Sequence, residues 1–112
     1  MTEARLYLLQ RGSAMLLAPL VLIHLALILY AVRDGLSAAE ILDRTRGSVA
    51  WALFYGLFVA AVAVHAPIGL RNLAREWLAW HGPSVNVAVL AVGLVLLTLG
   101  IRTVWAVVGG GA

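Results

Sequence analysis

Charged residues along this chain fall into short clusters, and the apolar stretches between them are long enough to cross a bilayer. The first stretch covers residues 6–32 and is broken near its start by Gln10, Arg11 and Ser13. Its uncharged part, residues 12–32, extends about 31 Å as a helix at 1.5 Å per residue, which matches a hydrocarbon core of roughly 30 Å. The second stretch, residues 47–70, has no charge at all. The third opens at Gly82-Pro83, where proline suits a first helical turn, and stays uncharged over residues 84–101. Arg102 and Trp105 then read as interfacial anchors. The pattern predicts an all-α integral membrane protein: one domain over residues 1–112, with three transmembrane helices in an up-down-up bundle, spanning about 10–32, 48–70 and 84–105.

The connections are short. Residues 33–46 are polar, with Asp34-Gly35 as a turn signal and Ser37-Ala38-Ala39-Glu40 resembling a capping box over one short helix. Residues 71–81 hold Arg71, Arg75, Glu76, Trp77 and Trp80, and read as a loop lying at the headgroup level. Pro67 is expected to bend the second span near its end, because it removes a hydrogen bond to the Ala63 carbonyl. Gly109-Gly110-Gly111 reads as a frayed end.

Composition fits this picture. Hydrophobic residues make up 63% and charged residues 12%, against about half and a quarter in soluble domains. So small a chain could not hide that surplus in a core of its own, so its solvent is lipid. The basic residues are eight scattered arginines, for a formal charge of +3, which gives a nucleic-acid partner little support. With no cysteine, disulfides, thiolate iron–sulfur ligation and covalently attached haem are excluded. The first span is too long for a signal-peptide core, and two further spans follow it. Four arginines on each side of the membrane leave the orientation open on charge alone.

No carboxylate lies inside a span, and no nucleophile–histidine or metal-hydrolase spacing is present. Side-chain catalysis by this chain alone is therefore not expected. Two intramembrane histidines, His24 and His65, stand out, because an imidazole in hydrocarbon needs a partner. That partner is either a neighbouring helix or a ligand. His65 is followed four residues on by Gly69, on the same helical face. Bare backbone there suits either a flat group on the imidazole or close helix packing. Arg71 then lies at the interface, where it can meet lipid phosphate or another acidic group.

The run His65-Ala66-Pro67-Ile68-Gly69-Leu70-Arg71, with Glu76 beyond, resembles the second-helix motif of the succinate dehydrogenase/fumarate reductase membrane anchors. Gln10-Arg11-Gly12-Ser13-Ala14 is similar to the start of their first helix, although many members have histidine where Gln10 stands. The resemblance implies that His65 is an axial ligand of haem b, with Gly69 beside the macrocycle and Arg71 near a propionate. It implies that Arg11 and Ser13 contribute to a quinone site. His24 resembles the first-helix histidine of the dihaem anchors, which implies a second haem iron there. One haem b, or two, would be shared with a second anchor chain or a second copy. The other implied partners are the flavoprotein and iron–sulfur subunits, quinone and lipid. The implied setting is a bacterial-type cytoplasmic membrane, with the N-terminus cytoplasmic, in electron transport of the respiratory chain and tricarboxylic acid cycle.

The two histidines should serve different sites. His24 lies 13 residues beyond Arg11, about 20 Å of helix, and His65 six residues before Arg71, about 9 Å. A difference of roughly 11 Å is too large for one iron, whose imidazole nitrogens sit about 2 Å away. Two other readings stay open from the residues: a small dual-topology transporter, and a structural membrane subunit without haem. A transporter usually needs an intramembrane carboxylate, which this chain lacks.

Overall fold

The computed structural model describes residues 2–109; residues 110–112 of the glycine tail lie outside the described residues. Among the described residues four helices follow one another: α1 (Glu3–Arg33), α2 (Ala38–Thr45), α3 (Val49–Trp77) and α4 (Pro83–Val108). Three of them, α1, α3 and α4, are long and apolar enough to cross a membrane.

Local chemistry sets the helix ends. Thr2 caps α1 by accepting from the Arg5 N–H, and Ser48 caps α3 by accepting from the Trp51 N–H. The capping box read at Ser37 and Glu40 forms in full: the Glu40 N–H donates to Ser37 Oγ, and the Ser37 N–H donates to Glu40 Oε1. α4 starts at Pro83 behind Gly82, whose φ of +95° suits glycine.

One expectation is corrected. The stretch read as a loop from Arg71 is helical as far as Trp77, so the connection to α4 is only residues 78–82. Charged residues do not end a helix; they mark where it leaves the apolar phase. Pro67 lies inside α3, and the helix runs through it. Bare Gly93 of α4 packs there, where a Cβ would come 2.9 Å from Pro67 Cγ and 3.5 Å from the Ala63 carbonyl oxygen.

α3 is the middle helix, packed against both α1 and α4. Gly100 lets α4 approach most closely, since a Cβ there would collide with Val59. The fully buried Val85 and buried Ile68, Leu17, Leu20 and Ala61 form a thin core. Most other large apolar side chains face outward, Met15, Leu22, Leu53 and Leu90 among them, as expected where the surroundings are lipid.

The segment before α3 also fastens the end of α4. Buried Thr45 donates its hydroxyl to the Val107 carbonyl at 2.7 Å, and the Gly47 N–H donates to the Val108 carbonyl at 2.9 Å. These bonds satisfy carbonyls that a helix C-terminus leaves open.

Candidate functional site

α1 and α3 bring Ser13 and His65 together. Ser13 is only 8% exposed. Its Oγ donates to the Gln10 carbonyl one turn back at 3.0 Å and lies 3.3 Å from His65 Nδ1. His65 is half-buried. Gly69, one turn further along α3, faces α1, and a Cβ there would lie 3.2 Å from Gln10 Nε2. The bare backbone read beside His65 is thus also where the Gln10 amide packs. Gln10 Oε1 is buried and, among the described residues, has no hydrogen-bond partner, a cost of about 1–3 kcal/mol for such a group.

Arg71 meets its acidic group within the chain. Its terminal nitrogens donate to the Glu3 carboxylate at 2.8 and 3.4 Å, and its Nε to Asn86 Oδ1 at 2.8 Å. Arg75 reaches the same carboxylate at 3.1 Å and donates through Nε to His81 Nδ1 at 3.4 Å. The Arg71 side chain is 12% exposed and that of Glu3 is 69% exposed. The cluster therefore ties α1, α3 and α4 together at the edge of the apolar region. Arg11 is exposed, with its guanidinium carbon 5.9 Å from the Tyr7 ring centroid and no ion pair among the described residues.

This pairing corrects the depth scale read from the sequence, which set Arg11 and Arg71 level. With Ser13 opposite His65, Arg11 is two residues, about 3 Å, from their level, and Arg71 is six residues, about 9 Å. Arg11 is thus the deeper of the two by about 6 Å.

His24 occupies a different level. Its ring meets Tyr55 and Phe58 edge-on, at centroid distances of 5.9 and 5.4 Å. Those residues lie ten and seven positions before His65, about 15 and 10 Å along α3. The two imidazoles do not converge on one point. Among the described residues His24 makes no hydrogen bond, and it lines an apolar cavity of about 290 Å³ with Tyr55, Phe58, Thr103 and Val107. A second space of about 180 Å³, bounded by Ile41, Thr45 and Trp51, lies on its α2 side.

Sequence reasoning missed Glu3, Asn86, Tyr55, Phe58 and Thr103. Asn86 gave a signal, as the one carboxamide in the third span. The aromatic pair gave none beyond ordinary apolar periodicity.

The chemistry of the donor set is narrow. Among the described residues no three histidine or carboxylate side chains gather as a metal-binding group. A lone imidazole suits a macrocycle that brings its own four nitrogens, with the protein supplying axial ligands. A family model described as succinate dehydrogenase/fumarate reductase transmembrane subunit matches residues 2–103. No curated protein and no solved structure matches the chain.

Proposed function

Because the chain belongs to the succinate dehydrogenase/fumarate reductase transmembrane subunit family, we propose that it is a haem b-bearing anchor that forms part of the quinone pocket of such a complex. The observation that supports this best is His65: a half-buried imidazole held through Nδ1 by Ser13, with Nε2 left for iron. A haem bound there supplies a one-electron relay between the iron–sulfur subunit and quinone. His65 would hold the haem iron, together with a residue from a second anchor chain or second copy.

The remaining residues divide the work of binding. Gly69 itself adds no side chain beside His65, and the Gln10 amide that packs there would make way for a macrocycle. Arg71, already oriented by Glu3 and Asn86, has the charge to draw a propionate to that end. Arg11, exposed and about 3 Å of helix rise from the His65 level, can donate to a quinone carbonyl. His24, without a hydrogen bond among the described residues and facing an aromatic-lined cavity, is the candidate ligand of a second haem. A cavity of about 290 Å³ is at the lower edge of small-ligand pockets, so the partner chain would have to complete that site.

In this reading the Glu3 end is cytoplasmic and faces the flavoprotein and iron–sulfur subunits, and the anchor is not catalytic alone. A reduced-minus-oxidised visible spectrum of the purified complex tests the proposal. A b-type signal that disappears in His65→Ala is expected; a complex with no haem absorbance would defeat it.

A further inference from the structure

We infer that Ser13 is a positioning residue for His65, fixing which ring nitrogen faces the iron, and is not a donor to quinone. The inference rests on the haem reading given above. It follows from counting hydrogens. A serine hydroxyl has one hydrogen and two lone pairs. That hydrogen is spent on the Gln10 carbonyl at 3.0 Å, the nearer acceptor. The 3.3 Å contact with His65 Nδ1 then runs the other way, from Nδ1–H to Oγ. A neutral imidazole with its hydrogen on Nδ1 has its lone pair on Nε2. The opposite tautomer would put a hydrogen on Nε2 and prevent ligation.

Burial makes the arrangement effective. At 8% exposure, Ser13 meets little competition from water, and its bond to Gln10 holds the hydroxyl in one rotamer. With its only hydrogen committed, Ser13 has none to offer a quinone carbonyl. An imidazole whose N–H is held by an acceptor is fixed in orientation and made a more basic ligand through its other nitrogen. A more basic ligand favours ferric over ferrous iron and so lowers the haem potential.

The purified complex with Ser13→Ala and Ser13→Thr tests this by potentiometric titration of the haem, its ferric electron-spin spectrum and the haem-to-protein ratio. Ser13→Ala should raise the potential, broaden the ferric signal and weaken haem retention about tenfold, as loss of an outer-shell partner does. Ser13→Thr keeps the hydroxyl and should restore all three. Should Ser13→Ala not assemble, Ser13→Cys keeps the size with a weaker acceptor and should show the same upward shift. A wild-type potential and spectrum in the assembled Ala or Cys variant would overturn the inference. So would unaltered haem with a raised quinone KM, which would return Ser13 to the quinone pocket. A wild-type complex lacking haem would instead defeat the reading on which the inference rests.

Discussion

Arg71 on α3 and Glu3 on α1 are joined across 68 residues of sequence by a guanidinium–carboxylate contact of 2.8 Å. The partners are unequal: Arg71 is mostly covered and also holds Asn86, while Glu3 is open to solvent. Losing the exposed member should therefore matter less. Glu3→Gln should change the melting temperature of the complex little, and less at high salt. Arg71→Ala should lower it clearly, and Arg71→Lys should not restore it, because an ammonium cannot reproduce the forked contact to both partners. Equal melting shifts for Glu3→Gln and Arg71→Ala would count against this account.

The α3–α4 contact offers a size-swap test. A Cβ at Gly100 collides with Val59, so Gly100→Ala should cost roughly 1–3 kcal/mol through overpacking. Val59→Ala should recover most of that loss in the double variant, as coupled neighbours do. Thermal melting of the four proteins measures it. Additive losses would mean that the helices adjust independently.

The levels of the two histidines predict separable spectra. His24→Ala should remove a second b-type component while leaving the His65-dependent one intact, because about 10–15 Å of helix lies between them. Potentiometric difference spectra of wild type and both alanine variants decide it. One component, unchanged by His24→Ala, would reduce His24 to a residue packed among Tyr55 and Phe58.

Arg11 is the test of the quinone assignment. Arg11→Ala should lower quinone-linked activity of the complex on the order of tenfold, the worth of one charge-assisted hydrogen bond. Succinate oxidation by an artificial acceptor should stay intact. Loss of both activities together would point to failed assembly.

The three spans were legible because hydrocarbon thickness imposes a length that unbroken apolar runs reveal directly. The capping box of α2 was legible because its chemistry is local. Helix ends near charges were not: arginines at 71 and 75 mark the water boundary, and helical hydrogen bonding continues past it. The middle position of α3 was also hidden, since apolar periodicity shows that a helix has neighbours without showing which. His65 and Ser13 could each be singled out, but their contact depends on the sliding register of α1 against α3. The sequence estimate matched Arg11 to Arg71, whereas the fold pairs Arg71 with Glu3 and sets Arg11 deeper.

Thr45 and Gly47, bonded to the last carbonyls of α4, make the two ends of the bundle mechanically unequal. At the α2 end, separating the helices means breaking a buried hydroxyl bond and a backbone bond together. At the opposite end, α3 and α4 are joined by the Arg71–Asn86 bond, but α1 is joined through Glu3, whose exposed charge water and salt can replace at little cost. Small splaying motions of α1 against α3 should therefore have their largest amplitude near Glu3. The Ser13–His65 contact between α1 and α3 lies toward the compliant side. A bulky planar guest could enter there by displacing the Gln10 amide and rearranging solvated charges, while the bonds at the α2 end keep α4 in register with α3.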